Sequence, residues 1–477
     1  MKKLLLFLPL CLSFFAKAQT YPSFNINLLG MISPNVTDSA DDRRHYSGCW
    51  GWYQQSKNKE YAISGTSKGT YFIDITVPSS PTVCAYVEGG REHCIWRELK
   101  SYSHYCYVVS DDATPNKFQI IDMQYLPDSV HLVYSGTSYF ERAHTIWIDG
   151  DKLYAMGVTY TVGANPPASP MIVLSLANPE VPVVLRRLEQ DIPSSVASYV
   201  HDMYSRHDTL FASCANQGLQ VFKFNATPTP SFTQLGSFAH YDQNGYNHSS
   251  TMTQNGKYLM FCDESPPGLP FHLVDIENLS NIQPIQIINP YPGTTPHNPY
   301  MVGNDHAVLA CYQDGLLVYN IADPFHVGMT GYFDTYPQGG HNAGGNYSGA
   351  DYRGNWGAYP WLPSGRIIAQ DMQNGVFILD ATTAFSAPVG IKANEADEKI
   401  SLMFYPNPAS NVIALNYRIN SASQLQVKDM LGRVVYEKNY SGAINEYMDV
   451  SGFANGCYVL SVSSNGTSTS KQLIIKH

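Results

Sequence analysis

Short runs of apolar residues recur along the chain in pairs, and a turn rich in Gly, Asp, Asn or Pro separates the two members of each pair. β-branched and aromatic residues dominate the runs, which is typical of β-strands joined in hairpins. Seven such pairs align, at residues 61–75, 105–123, 153–176, 210–224, 258–276, 307–321 and 366–380. A strand pair repeated in this way predicts an all-β repeat protein.

A second signal lies upstream of the strand pairs, where five units carry a histidine. These are His93, His144, His201, His248 and His297, which are 51, 57, 47 and 49 residues apart by subtraction. Trp50 and Trp356, each followed by glycine, stand at this place in the first and last units. A period near fifty residues with about four strands per unit predicts a seven-bladed β-propeller. A solenoid, the rival architecture, would need distinct polar caps.

The two ends of the repeat region complement each other. The seventh unit ends in a stub at residues 388–391, whereas residues 24–32 (FNINLLGMI) form a full strand pattern near the N-terminus. We expect this N-terminal strand to complete the last blade and close the ring, because closure removes exposed strand edges. The propeller is then predicted over residues 19–391, followed by a charged linker at residues 392–399.

Six motifs occur in a fixed order along the repeat region. They are CWGWYQQSKNKEYAISG, AHTIWID, VHDMY, NHSSTMTQNGKYLMFCDE, HNPYMVG and NWGAYPWLPSG. Together they resemble the LVIVD-repeat propellers of the choice-of-anchor B family, over roughly residues 24–385. The resemblance implies an exported propeller with a variable C-terminal anchor, and it implies no particular reaction.

The N-terminal residues 1–18 predict a Sec signal peptide. Lys2 and Lys3 precede an apolar run of about twelve residues, and Ala16-Lys17-Ala18 forms a cleavage site. This run is shorter than the ~20 residues that a membrane-spanning helix needs, and no other run approaches that length. The sequence therefore predicts export without a transmembrane segment.

The C-terminal residues 400–477 carry YPNPAS, LQVKDMLGRVVYE, GCYVLSVSSNG and KQLIIK. Alternating strands with Asn-Pro and Asn-Gly turns predict a small β-sandwich. The motifs resemble the type A sorting domain of the type IX secretion system in Bacteroidetes-type bacteria. The resemblance implies the type IX export machinery as a partner and a product that is secreted or held at the outer-membrane surface. It leaves open whether the domain is cleaved after export.

Charge and cysteine content narrow the function classes. The 477-residue chain has a net charge of −10, which argues against a nucleic-acid partner because phosphate binding needs a basic surface. Cysteines recur at one repeat position, which predicts buried thiols: Cys214, Cys262 and Cys311. A disulfide among Cys84, Cys94 and Cys106 is an alternative, since an exported chain permits bridges.

Propeller topology brings the histidines and the acidic turns to one face, around the channel mouth. The histidines precede first strands, and the acidic residues follow second strands: Asp111, Asp112, Asp263, Glu264, Asp314 and Asp371. In one interpretation the histidines bond to neighbouring backbone and the acids cap turns. In the other, several of them bind a divalent metal. The residues selected for such a site are His248, Asp263, Glu264 and His297.

Two functions fit these observations. The first is an exported, cell-surface or secreted binding protein that recognises a protein or glycan through a face rich in Tyr and Trp. The alternative is a metal-dependent hydrolase with its site at the channel mouth. The chain has no HExxH, EF-hand or P-loop pattern that would decide whether it is an enzyme. A Gly-rich insertion that begins at residues 336–341 (YPQGGH) is interpreted either as a lid over this face or as a surface loop.

Overall fold

The computed structural model describes residues 19–34, 44–112, 115–160, 167–347, 352–388, 401–418, 422–441, 444–464 and 467–477. The predicted signal peptide and the predicted linker at residues 392–399 lie outside the described residues. The secondary structure of the described residues is almost entirely β-strand. The predicted all-β class is therefore confirmed.

Residues 23–380 form seven small antiparallel sheets, which we number by the order of their first strands. Two N-terminal strands come first: β1 (Ser23–Phe24) and β2 (Asn27–Ile32). Sheet 1 has β3 (Tyr46–Gln54), β4 (Lys59–Thr66), β5 (Gly69–Asp74) and β6 (Thr82–Glu88). Sheet 2 has β7 (Arg97–Tyr102), β8 (Tyr105–Ser110), β9 (Phe118–Asp122) and β10 (His131–Gly136). Sheet 3 has β11 (Thr145–Asp149), β12 (Lys152–Thr159), β13 (Ala168–Ser175) and β14 (Val183–Arg187).

The remaining four sheets follow the same plan. Sheet 4 has β15 (Asp202–Arg206), β16 (Thr209–Ser213), β17 (Leu219–Asn225) and β18 (Ser231–Phe238). Sheet 5 has β19 (Asn247–Met252), β20 (Tyr258–Asp263), β21 (Phe271–Asp275) and β22 (Gln283–Ile288). Sheet 6 has β23 (Asn298–Val302), β24 (His306–Ala310), β25 (Leu316–Asn320) and β26 (Gly328–Phe333), with β1 added beside β26. Sheet 7 has β27 (Asn355–Tyr359), β28 (Ile367–Asp371) and β29 (Gly375–Asp380), with β2 beside β29.

The middle strands of each sheet carry the hydrophobic core. Every residue of β8 and β9 is buried, whereas the outer strand β10 of the same sheet is mostly exposed. A strand buried on both faces needs a neighbouring sheet on each side, which explains the continuous apolar runs of the sequence. The sheets therefore pack face to face, with their fourth strands at the solvent edge.

The first strands line a closed ring. β3, β7, β11, β15, β19, β23 and β27 contact one another in this order, and β27 contacts β3. The join between sheets 7 and 1 is also hydrogen-bonded, because the fully buried Gln370 places its Nε2 2.8 Å from the carbonyl oxygens of Ser47 and Gly48 and 3.0 Å from that of Gly65. Strand β2 pairs with β29, so the N-terminal segment supplies the outer strand of sheet 7.

Helical structure is sparse. There are three 3₁₀ turns, Gln55–Lys57, Leu188–Gln190 and His341–Ala343, and one short helix, α1 (Thr382–Ser386). No helix within the described ranges has the length and apolar character needed to cross a membrane. All eight cysteines of the described residues are free thiols, so the alternative of a disulfide among Cys84, Cys94 and Cys106 is not realised.

The C-terminal residues form two further sheets that enclose their own hydrophobic core. One contains β30 (Ser401–Tyr405), β31 (Val412–Arg418) and β34 (Ile444–Asp449). The other contains β32 (Ala422–Asp429), β33 (Val434–Ser441), β35 (Gly456–Ser464) and β36 (Thr467–Ile475). Leu415 of the first sheet and Leu460 of the second are both fully buried in the shared core.

Candidate functional site

Six aromatic rings form a row around the axis, at the start of the first strands. In order they are Trp96, Trp356, His297, His248, His201 and His144. The centroids of neighbouring rings are 5.1, 4.4, 4.5, 4.2 and 4.2 Å apart. Each ring comes from a different sheet, so one structural position repeated in sheets 2 to 7 builds the whole row.

Sheet 1 carries small residues at this position. A side chain at Gly48 would place its Cβ 2.6 Å from the carbonyl oxygen of Arg97, so the site has no room for one. The gap left by sheet 1 lets Trp96 and Trp356 stack across it, with their ring planes 29° apart. The row is therefore continuous over sheets 2 to 7, although sheet 1 contributes no ring.

Hydrogen bonds between sheets fix the imidazoles. Nδ1 of His201 donates to the backbone oxygen of His248 over 3.0 Å, and Nδ1 of His297 donates to that of Trp356. Nδ1 of His248 faces the backbone of His297 without reaching full hydrogen-bond geometry. Because a carbonyl oxygen only accepts, the Nδ1 atoms of His201 and His297 carry the proton, and their Nε2 atoms keep a free lone pair.

Burial controls the charge of the row. It lowers the pKa of His201 and His248 well below the ordinary value, and neighbouring histidines lower it further. Burial lowers the pKa of His297 to about 3. These three imidazoles are neutral at neutral pH. His144 differs: burial opposes its protonation, but the Asp111 carboxylate, 2.7 Å from Nδ1, raises its pKa above the ordinary value.

The row forms the floor of an open pocket of about 390 Å³. The five residues His144, His201, His248, His297 and Trp356 line both this pocket and a narrow space of about 60 Å³ further along the axis. The walls are aromatic and acidic, and they consist of Tyr199, Tyr246, Tyr312, Tyr352, Asp111 and Glu264. This volume lies in the range of ligand pockets, which is ~300–1,000 Å³.

Glu264 is the acidic residue beside His248. Its Oε1 accepts a hydrogen bond of 2.6 Å from the Tyr312 hydroxyl, and its Oε2 lies 3.8 Å from Nε2 of His248. Burial raises the pKa of Glu264, and the Tyr312 hydrogen bond opposes that shift. His248, Glu264 and His297 each offer one ligand atom within 4.8 Å of the other two, which makes them a candidate metal group.

The other acidic residues of the predicted face hold turns. Asp263 accepts hydrogen bonds from the Tyr241 hydroxyl, the Gly245 backbone and the Asn247 amide. Asp314 accepts from Thr294 and from the backbone of His341, and Asp371 accepts from the backbone of residues 373 and 374. Asp112 accepts from the backbone of Trp96. Asp263, selected from the sequence as a metal ligand, thus lies outside the candidate group.

Two residues of the sequence pattern lie away from the row. His93 is exposed with φ at 61°, and Trp96, three residues later, occupies the equivalent position in sheet 2. Trp50, aligned with Trp356 in the sequence, lies further along the axis, where its ring is 6.3 Å from Trp147 and 5.9 Å from Trp361. In sheet 1 a bulge between Tyr46 and Cys49 in β3 shifts the register of its pairing with β4.

The YPQGGH insertion packs beside the pocket against the β24–β25 turn. His341 stacks on Tyr291 with centroids 4.0 Å apart, and its backbone bonds to Asp314. Gly340 has φ at 74°, and a Cβ there would lie 2.4 Å from the carbonyl oxygen of Gln313, so this close approach requires glycine. Tyr352, beyond the insertion, reaches the pocket wall.

The tyrosines of the pocket were not predicted from the sequence. Tyr199 and Tyr246 each stand two residues before a histidine of the row, and this Tyr-x-His spacing was a readable signal in two units. Tyr312 follows Cys311, whose repeat position was recognised. No local pattern marks Tyr352 or Trp96, because the segments that carry them are specific to their units.

Comparison with protein families assigns the C-terminal part of the chain. Residues 403–476 match the secretion system C-terminal sorting domain, which confirms the sorting domain predicted from the sequence. A tail of this kind implies secretion to the cell surface or outside and interaction with the type IX export machinery. A search of curated proteins found no match.

Solved structures offer distant likenesses. One is a 6-phosphogluconolactonase candidate from Bacteroides uniformis, 11% identical with a TM-score of 0.49, covering 86% of this chain and 100% of that one. A similar candidate from Bacteroides fragilis is 10% identical with a TM-score of 0.48, covering 87% and 100%. PorZ, a surface component of the type IX secretion system of Porphyromonas gingivalis, is 11% identical with a TM-score of 0.45, covering 93% and 61%. At these values we infer no activity or partner from them.

Proposed function

We propose that the chain is an exported β-propeller that binds a partner in the pocket at its channel mouth. The seven sheets are its blades, residues 19–391 its propeller, and the repeats of LVIVD type described for the choice-of-anchor B family its building units. Residues 1–18 direct the chain through the Sec route, and the C-terminal domain then directs it through the type IX machinery. The product is secreted or held at the outer-membrane surface.

The observation that carries the binding function is the composition of the pocket. Six tyrosine and tryptophan side chains, four imidazoles and two carboxylates surround about 390 Å³ of space that opens to solvent. Aromatic faces bind apolar surfaces with little loss of conformational entropy, because each ring has only two side-chain torsions. Asp111 and Glu264 add acceptors for hydroxyl or ammonium groups.

A protein or a glycan could present such a group, and the pocket chemistry favours a glycan. The carbon–hydrogen face of a sugar ring would stack on Tyr246 or Tyr352, and its hydroxyl groups would donate to the two carboxylates. The pocket is also the size of one or two sugar rings rather than of a folded surface. A protein partner would have to insert a single side chain.

Binding to an array of defined oligosaccharides and peptides tests this function. The wild-type chain should bind a subset of the glycans. A variant with Tyr246→Ala and Tyr352→Ala should lose at least ~100-fold in affinity, because each stacked ring contributes ~10-fold. Tyr125→Ala, at an exposed tyrosine 42% accessible to solvent and away from the pocket, is the matched control. Equal binding by the wild type and the double variant would contradict the proposal.

A metal-dependent hydrolase is the second candidate function. One observation favours it: two imidazoles and a carboxylate that could bind a metal lie together on the floor of an open pocket. Panels of ester, phosphoester and peptide substrates would test it. Activity that chelator removes, that metal restores and that Glu264→Gln abolishes would support hydrolysis. Activity that survives both the chelator and this substitution would exclude this site as its source.

A further inference from the structure

We propose that His248, Glu264 and His297 form a binding site for a late first-row transition metal ion, with coordination positions left open toward the aromatic pocket. This inference goes beyond the proposed binding function and holds whether or not the pocket catalyses a reaction. It replaces the ligand set that the sequence suggested, because Asp263 is committed to three hydrogen bonds elsewhere.

The spacing of the ligand atoms fits one ion. Nε2 of His248 and Oε2 of Glu264 are 3.8 Å apart, and two ligands of a tetrahedral ion with bonds of ~2.1 Å lie ~3.4 Å apart. All three ligand atoms lie within 4.8 Å of one another, so the widest pair must close by at most ~1.4 Å to reach that separation. Rotation about the side-chain torsions of the three ligands supplies shifts of this size.

The charge balance of the floor favours binding of a cation. The side chain of Glu264 is only 12% exposed to solvent. Among the ion pairs of the described residues, its basic partner is His248. The Tyr312 hydroxyl supplies one hydrogen bond but no charge. A carboxylate withdrawn from water is stabilised by a paired charge or a metal. The described pocket lining contains no lysine or arginine, and His144, the row imidazole that favours its charged form, is already paired with Asp111.

The neighbouring groups orient the ligands as outer partners of metal sites do. Nδ1 of His297 donates to the backbone oxygen of Trp356, which fixes the ring and leaves Nε2 to bind. Tyr312 holds Oε1 of Glu264 and leaves Oε2 facing His248. Both ligating groups are therefore set in position before an ion arrives, and the first of these bonds links sheet 6 to sheet 7.

The ligand chemistry selects the ion. Two neutral imidazoles and one carboxylate suit Zn²⁺, Cu²⁺, Ni²⁺ or Fe²⁺, whereas Ca²⁺ and Mg²⁺ take sets of oxygen ligands. Three protein ligands also leave room for water or a ligand atom, as in open zinc sites. An ion here would face the cavity bounded by Tyr246, Tyr312 and Tyr352. The class of occupant is thus a ligand with an oxygen or nitrogen donor.

Metal titration of the full, untagged chain after removal of metal by a chelator tests the site. Calorimetry should show one Zn²⁺ or Cu²⁺ per chain and no saturable binding of Ca²⁺. The Cu²⁺-loaded protein should show nitrogen couplings from two imidazoles in its electron paramagnetic resonance spectrum. Weak binding at several sites, or a spectrum without nitrogen couplings, would overturn the proposal.

Three variants separate ligands from supports. Glu264→Gln keeps the shape of the side chain and should lose more than the ~10- to 100-fold in affinity that removal of an outer partner costs. Tyr312→Phe, which removes only the positioning hydroxyl, should lose ~10- to 100-fold. His326→Ala, which removes an exposed imidazole paired with Asp323, is the matched control and should bind as the wild type does.

The outcomes distinguish this site from the proposed glycan-binding function. Metal binding that Glu264→Gln abolishes supports the site even if no glycan binds. Metal binding that Glu264→Gln and His248→Ala both leave intact refutes the site, whatever the glycan array shows. A circular dichroism spectrum of each variant like that of the wild type ensures that a loss of binding reflects a lost ligand rather than a lost fold.

Discussion

The join between sheets 7 and 1 should depend on one buried amide. Gln370 is fully buried in β28, and its Nε2 lies within 3.0 Å of three carbonyl oxygens of sheet 1. Its two hydrogens satisfy at least two of them. Gln370→Met keeps the volume and removes both donors. Each buried acceptor left unpaired costs ~1–3 kcal/mol, so the loss of two hydrogen bonds should lower the free energy of unfolding by about 2–6 kcal/mol.

Urea unfolding followed by tryptophan fluorescence measures this loss. All six tryptophans lie between residues 50 and 361, so the signal reports on sheets 1 to 7 and not on the C-terminal domain. Gln234→Met is the matched control. Gln234 is exposed on the outer strand β18, and the same substitution there should change the free energy of unfolding by less than ~0.5 kcal/mol.

Hydrogen exchange would show whether the loss acts at the join. Amides of β3, β4, β27 and β28 should exchange faster in Gln370→Met than in the wild type, while amides of sheets 3 and 4 should change less. A destabilisation below ~1 kcal/mol, or faster exchange spread evenly over all sheets, would refute the reasoning. The buried carbonyls would then have found other partners, and the join would depend on apolar packing alone.

Three further predictions concern titration and export. Burial raises the pKa of Asp371 from 3.8 to about 7, so between about pH 4 and 7 the folded chain binds the extra proton and the wild type loses about 1.4 kcal/mol of stability per pH unit as the pH rises. Asp371→Asn should remove that slope in urea unfolding, and an unchanged slope would contradict it. The pKa of His144 is raised mainly because of Asp111, so Asp111→Asn should lower it in an NMR titration. The stability that this pair contributes should be complete below pH ~6.5 and disappear as the pH rises through the folded pKa. Deletion of residues 403–476 should leave the protein inside the outer membrane in cell fractionation, and its appearance in the medium would contradict the role of the tail.

The strand pairs were predictable because burial on both faces leaves a strong mark. Strands β8 and β20 are apolar up to their last residue, and their turns carry the residues that tight turns demand. The alternation of strand pairs with histidines also located the first strands. The all-β class and the sorting domain could therefore be predicted from the sequence alone.

Register at the axis was harder to predict, because it depends on pairing across the sheet. His93 fits the spacing of the other histidines, yet Trp96 occupies the row, since Arg97 pairs with Ser110 and sets the register of β7. The adjacent acids Asp263 and Glu264 posed the same problem. Asp263 ends β20 and Glu264 follows it directly. Successive side chains along an extended chain point to opposite sides, so only one of the two can face the pocket. Sequence alone does not say which does so.

Glu264 is the residue that distinguishes a binding site from a structural ring. A row of histidines that only tied sheets together would need nothing beyond the carbonyl partners that His201 and His297 have. Asp263 shows how this fold satisfies a carboxylate that serves a turn, with three donors around it. Glu264, next in the chain, has the Tyr312 hydroxyl and an imidazole 3.8 Å away. The turn does not need this carboxylate, and burial raises the free energy of its charged form. A cation on the pocket floor would offset that cost, and substitution of Glu264 by Gln in the metal-free chain should therefore stabilise the fold rather than weaken it.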